Sequence, residues 1–215
     1  MKDNILTIDG PSASGKGTLA RNIAKHLDFE ILDSGLLYRV YAYLYDCGIE
    51  HAQITKTINK DITFKSDESG IVVLNEKNNI TNELRKESTA KAASKISALP
   101  ETRENLLLLQ RGFYLPKGLV ADGRDMGTVV FPDAPFKVFL TANVEERAKR
   151  RLKQLHEQGI TGNISQTLDE VKKRDERDVS RKHSPLKPAK DALIIDTSDL
   201  DINEVIAKVM ALVKA

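Results

Sequence analysis

A chain of 215 residues is long enough for one substantial core with small inserted lobes. Its 33 basic and 31 acidic residues leave a formal net charge of +2, too balanced to mark a nucleic-acid binder, and 40% hydrophobic content is ordinary for a globular protein. A single cysteine, Cys47, excludes an intrachain disulfide and fits a reducing, cytoplasmic compartment; the four histidines lack metal-ligand spacing, and no apolar run approaches the ~20 residues of a membrane span.

The apolar run Ile5–Ile8 meets Asp9-Gly10-Pro11 and reads as a buried strand running into a turn. Thr18–Leu27 has helical periodicity, Phe29–Leu32 is a second short strand, and Asp33 or Ser34 can cap a helix through about Asp46. Cys47, in that apolar stretch, is expected in the core. After Gly48 the pattern changes. Asp61–Lys65, Ile71–Asn75 and Ile80–Thr81 are short alternating segments parted by SDESG and EKNN, which predicts a small antiparallel insert with hairpin turns. Helices resume near Asn82, and Pro100 opens another with Glu101 and Glu104 near its positive end.

Gly118–Ala121 and Phe136–Thr141 return to the core-strand pattern. Asn143-x-x-Glu146 opens a helix through about Glu157, Gly159–Asn163 breaks it, and Thr167-x-x-Glu170 is expected to cap the next. Ala192–Ile195 is the last core strand, and Asp201-x-x-Glu204 caps a final amphipathic helix. Strands alternating with helices predict an α/β fold, a doubly wound five-stranded parallel sheet with helices on both faces. The core comprises residues 1–33, 96–147 and 184–215, with a lobe carrying the β insert at ~34–95 and a helical lid at ~148–183.

Gly10-Pro11-Ser12-Ala13-Ser14-Gly15-Lys16-Gly17-Thr18 follows a strand and opens a helix, the setting a phosphate-binding loop requires, so the fold expected is of the P-loop NTPase type. Glycines let the backbone curl its N–H groups inward, the helix N-terminus adds partial positive charge, and Lys16 brings a full charge to the outer phosphates of ATP. Gly17 displaces the hydroxyl usually found directly after the lysine to Thr18. Neither Thr18 nor Asp122 is therefore assigned as a direct Mg²⁺ ligand; both can act through water, which suits an ion that dehydrates reluctantly. Asp122 follows the strand Gly118–Ala121, the usual place for the metal-side carboxylate of such a site, with a plain turn aspartate before Gly123 as the competing reading.

The G-K-G-T form is similar to that of nucleoside monophosphate kinases. Asp33-Ser34-Gly35-Leu36-Leu37-Tyr38-Arg39, Ala121-Asp122-Gly123-Arg124-Asp125-Met126-Gly127-Thr128 and Arg174-Asp175-Glu176-Arg177-Asp178, with the loop, resemble the bacterial cytidylate kinases over essentially the whole chain, and GRDMGT discriminates most. The resemblance implies transfer of the γ-phosphoryl group of ATP, with Mg²⁺, to CMP or dCMP. It implies Ser94, Arg103 and Asp125 for the base, Ser34, Asp178 and Arg181 for the sugar, and Tyr38, Arg39 and Arg124 for the acceptor phosphate or its surroundings. Arg174 joins the acceptor and the transferring group, Arg151 joins ATP, and the catalytic set is Lys16, Asp122, Arg124 and Arg174. A monomer without nucleic-acid or membrane partners is expected.

The chemistry of these residue types can be argued separately. A monophosphate is already an anion, so its attack needs positioning and charge neutralisation more than a general base. Arginine forks suit that work, at ~1.5–3 kcal/mol per charged hydrogen bond. Arg174, Arg177 and Arg181, with Asp178, share one face if their helix reaches residue 181, and Arg147 and Arg151 form an i, i+4 pair. Spacing alone favours a solvated charged face. The resemblance reverses that for Arg174, Asp178 and Arg181 and leaves Arg147 and Arg150 level. Tyr38 serves equally as a core aromatic in YRVYAYLY. A carboxylate such as Asp125 can accept from the cytosine amine while Arg103 donates to the ring acceptors. The rival readings are another P-loop kinase, acting on UMP, AMP or shikimate, and a nucleotide switch, although no guanine-reading N/T-K-x-D motif follows a core strand.

Overall fold

The computed structural model describes residues 4–67 and 70–214. In chain order its elements are β1 (Ile5–Asp9), α1 (Lys16–Leu27), β2 (Glu30–Asp33), α2 (Ser34–Asp46), α3 (His51–Asp61), β3 (Ile62–Asp67), β4 (Gly70–Asn75), β5 (Asn78–Asn79), α4 (Thr81–Arg85), α5 (Glu87–Ile96) and α6 (Pro100–Gly112). There follow β6 (Leu119–Gly123), a π-helical turn (Met126–Val130), β7 (Phe136–Thr141), α7 (Val144–Glu157), α8 (Ile164–Val179), β8 (Leu193–Asp196) and α9 (Ile202–Lys214). The chain divides into two compact units, Met1–Leu32 with Phe113–Ala215, and Asp33–Gly112.

The first unit is built on a five-stranded parallel sheet of order β2-β6-β1-β7-β8, flanked by helices. A strand paired on both sides and covered on both faces reads as a continuous apolar run, and β1 and β6 are buried throughout. Leu6, Ile8, Val120, Val138, Leu140 and Ile195 pack with Leu19 and Ile23 of α1 and Val205 and Val209 of α9. The chain leaves β1 toward β2 on one side and leaves β7 toward β8 on the other. Such a reversal opens a crevice at the carboxyl ends of the strands. The register sets Ile8 beside Asp122 and Asp9 beside Gly123, so two acids stand at that end.

In the second unit α2 packs on α5, α3 and α4, and α3 packs on α6. Asp33 caps α2, its Oδ1 accepting from Leu36 N at 2.8 Å. A three-stranded antiparallel sheet, β3-β4-β5, completes the unit.

Several local expectations are corrected. His51–Asp61 is a helix that the sequence pattern did not announce, because only Ile54 and Ile58 bury from it. The third strand of the insert is Asn78–Asn79, not Ile80–Thr81: Ile80 leads into α4, and the Thr81 hydroxyl accepts from Val73 N at 2.9 Å in place of a ladder bond. The SDESG turn includes residues 68–69, outside the described residues. Thr167 does not cap α8. Asn163 does, accepting from Gln166 N at 2.9 Å, while the Thr167 hydroxyl donates back to Asn163 O from inside the first turn. Cys47 is exposed, since α2 ends at Asp46 and Cys47 lies past its last buried residue, Leu44. β6 runs on to Gly123, placing Asp122 within the strand. Helix α8 stops at Val179, so Arg181 lies beyond it. Among the described residues no helix is long and apolar enough to cross a membrane.

Candidate active site

In the first unit, β1 ends at Asp9 and the chain curls through Gly10–Gly15 into α1. Gly10 has φ +148°, and a Cβ there would sit 2.1 Å from the Leu140 carbonyl oxygen, so a side chain has neither the conformation nor the space. Gly15, at φ +93°, precedes the first turn of α1, whose N-terminal amides supply the positive end of the helix. Lys16 is buried; its Nζ donates to Pro11 O at 2.7 Å and to Ser14 Oγ at 3.3 Å. Burial and the repulsion of Arg124 and Arg174 lower its pKa to about 7, against the attraction of Asp122 and Asp9. Lys16 thus lies within electrostatic reach of two other cations, Arg124 and Arg174, and of two acids, Asp122 and Asp9.

Asp122 is buried, and its Oδ2 lies 3.5 Å from where a Cβ on Gly17 would stand. Thr18 is exposed, with Arg21 as a distant partner at 3.5 Å. Of the two hydroxyl and carboxylate candidates for a hard cation, the buried Asp122 fits better, by both chemistry and setting. Among the described residues no three His, Cys, Asp or Glu side chains gather as a cation site.

The arginines converge through one carboxylate. Asp178, 1% exposed, accepts from Arg124 Nε at 3.0 Å on one oxygen and from Arg181 on the other. Burial pushes the Asp178 carboxyl up, but Arg124, Arg181 and Arg174 outweigh it and hold it below the usual carboxylate range. Arg181 reaches this point from beyond α8, not from a shared helical face. Arg177 is exposed; Arg174 and Arg151 are half-buried. Asp125 is 2% exposed at the start of the π-helical turn.

Arg147 and Arg150 support the loop. Arg147 donates to Ala142 O at 2.9 Å, to Asp175 at 2.5 Å and weakly to Ser12 O at 3.4 Å, joining α7 to α8. Arg150 donates to the hydroxyl and carbonyl of Thr197, whose single hydroxyl proton has two acceptors within reach, Thr141 O at 3.1 Å and Ser14 O at 3.3 Å. Thr197 was invisible to motif reading because its role depends on β8 lying beside β7. Asp9 was legible only as a strand end.

In the second unit, Ser34 accepts from Gln110 Nε2 at 2.9 Å, and Arg39 donates to Leu84 O at 2.8 Å. Tyr38 is buried, and the Arg103 guanidinium lies 5.7 Å from its ring centre while donating to Ser97 O at 3.0 Å. Tyr38 thus packs in the unit and also braces Arg103. Ser94 is 6% exposed and its hydroxyl has no hydrogen-bond partner among the described residues. A buried hydroxyl left unsatisfied costs ~1–3 kcal/mol and calls for an explanation.

Comparison with known proteins adds a family. The family model described as cytidylate kinase matches residues 6–215. A protein of Shewanella denitrificans named cytidylate kinase is 49% identical over 218 aligned residues, covering 98% of this chain and 96% of that one. One of Aliivibrio salmonicida with the same name is 45% identical over 216, with the same coverage. The solved structure of an uncharacterized protein from Eubacterium ventriosum superposes with a TM-score of 0.51 over 99% of both chains at 13% identity, a likeness of fold alone.

Proposed function

The chain belongs to the cytidylate kinase family, and we propose that it transfers the γ-phosphoryl group of ATP to CMP or dCMP, releasing ADP and CDP or dCDP. The observation that carries this reading is the buried Lys16 at the opening of α1, its Nζ held by Pro11 O at 2.7 Å and Ser14 Oγ at 3.3 Å, with its pKa lowered by burial and then by the charges of Arg124 and Arg174. A buried lysine at a helix N-terminus, with two arginines within electrostatic reach, matches a ligand that brings several phosphates in line.

Residues Gly10–Thr18 take the donor phosphates, with Lys16 on the outer ones and Arg151 assisting. Arg124 and Arg174 meet the acceptor phosphate and the transferring group. Asp122, and more weakly Thr18, would hold the water shell of the Mg²⁺ that accompanies ATP, and that ion would supply neutralisation of charge on the phosphate oxygens. In the first unit Asp125 accepts from the cytosine amine, and Asp178 and Arg181 serve the sugar. In the second, Ser94 and Arg103 serve the base, Ser34 the sugar, and Tyr38 and Arg39 the surroundings of the acceptor phosphate. Residues 148–183 form a lid that excludes water, the competing acceptor. The setting is the cytoplasm, within pyrimidine nucleotide metabolism, and the protein acts as a monomer.

A coupled ADP-release assay across CMP, dCMP, UMP, AMP and shikimate tests this. CMP or dCMP should exceed AMP in kcat/KM by at least ~100-fold, the reach of paired hydrogen bonds to a base edge. Equal rates with AMP would remove the base assignment, and ADP release without any acceptor would favour the nucleotide switch.

A further inference from the structure

The run GRDMGT is the most discriminating motif of the chain, yet the proposed chemistry uses only its Arg124 and Asp125. The remaining Met126-Gly127 pair has a physical explanation in β1. Asp9, the last residue of that strand, is 4% exposed. Its Oδ1 accepts from Met126 N and its Oδ2 from Gly127 N, both at 2.8 Å. The segment that follows is wound one residue wider than an α-helix, with Val130 N donating to Asp125 O at 3.2 Å and Phe131 N to Met126 O at 2.7 Å. The first amides of any helical turn have no acceptor inside it, and here one carboxylate takes two of them.

The fit is closed from the other side. A Cβ on Gly127 would lie 2.8 Å from Thr7 Oγ1, 3.3 Å from Lys137 Cδ and 3.4 Å from Asp9 Oδ2. Thr7 is fully buried and its hydroxyl has no hydrogen-bond partner among the described residues, so it occupies space without tying a bond. Burial raises the Asp9 pKa to about 6, the two amides and Lys16 oppose that, and Asp125 reinforces it; at neutral pH the carboxylate form prevails.

We infer that Asp9 is a positioning residue for acceptor recognition, holding the 126–127 backbone so that Arg124 and Asp125 are presented in one arrangement. The inference rests on the acceptor roles proposed above for those two side chains. Asp9 does not act on the nucleotide; it acts through the two amides that directly follow Asp125. An asparagine at this position would keep the shape but set an NH₂ group against one of those N–H donors, which breaks one bond and repels.

The test measures steady-state kinetics of the full chain with CMP, UMP and ATP. Asp9→Asn should raise the KM for CMP about tenfold and cut the CMP-over-UMP preference by a similar factor, with the KM for ATP within about twofold. Gly127→Ala should act in the same direction, because its new methyl meets Thr7. Adding Thr7→Ala removes the obstructing oxygen and should restore the CMP constants to within about threefold of the parent. This pair keeps the idea testable if thermal melts show that Asp9→Asn fails to fold. Asp125→Ala runs alongside. If it leaves CMP untouched, the underlying acceptor reading fails. If it weakens CMP while Asp9→Asn and Gly127→Ala do not, the positioning role alone fails. Equal rises in both KM values, or no recovery in the Thr7→Ala pair, would also overturn it.

Discussion

In the first unit, the groups proposed to face phosphate come mostly from nine consecutive residues, Gly10–Thr18, and backbone conformation does much of the holding: Gly10 and Gly15 at positive φ, then the amides opening α1. In the second unit, Ser34, Tyr38 and Arg39 stand on α2, Ser94 on α5 and Arg103 on α6, each placed by a helix. The difference teaches that phosphate binding can be written into one short segment, whereas recognition of an acceptor has to be assembled from packing. The loop should tolerate little change in backbone freedom or charge. The helical residues should show graded, separable effects.

The comparison is sharpened most by removing the one full charge in the loop. Lys16→Met should lower kcat about a thousandfold, on the scale of losing a preorganised charged donor, while circular dichroism and thermal melts stay near the parent. Retained turnover would show that backbone amides alone suffice. A second, smaller effect follows from the Lys16 pKa of about 7. Donor phosphates favour the charged amine, so binding of Mg-ATP near pH 8 should take up about one proton, seen by calorimetry in buffers of different ionisation enthalpy, with affinity falling as pH rises above 7. The sign for stability runs the other way. The unfolded chain holds this proton up to about 10.5 and the folded chain releases it near 7, so protein without nucleotide should gain stability from this group as pH rises between those values. Absence of proton uptake would mean that the cations around Lys16 do not govern the donor site.

The smallest expected effect belongs to the second unit. Ser94→Ala removes a buried hydroxyl that has no partner among the described residues, so stability should hold or rise by up to ~1 kcal/mol, a Tm increase of about 2–4 °C. The KM for CMP should nevertheless rise a few-fold, with ATP unaffected. A loss of stability would make Ser94 a packing residue and weaken the contrast between the two units.

Legibility followed the same division. The core strands, the loop, the Asn143 cap and the reciprocal Asp201–Glu204 box were readable because each depends on neighbours within a few residues. Helix α3 was not, since two buried isoleucines in HAQITKTINKD make too faint a period. Cys47 was misplaced because helical apolarity was carried past the last helical residue, Asp46, onto the C-cap. The Thr167 motif had the right residues but competed with Asn163, which stands one turn earlier and took the N-cap. Ser94 and Arg103 carried no local signal and entered only through family resemblance.

By itself the sequence determined the parallel α/β core, the glycine-bearing loop with its lysine between strand and helix, and, through three separated motifs, the kind of acceptor to expect. Those features reside in short-range geometry: glycines where φ must be positive, apolar runs where strands are covered, a lysine at fixed distance from a helix start. Only the tertiary structure decided that Asp178 gathers Arg124 and Arg181, that Thr197 ties β8 to the loop at Ser14, and that Asp9 clamps the turn at Met126 and Gly127. Each of those contacts joins residues tens to more than a hundred positions apart, or a residue beyond a helix end. They exist because sheet order and helix docking, not spacing along the chain, bring charge and acceptor together in a buried setting where an unpaired group would be costly.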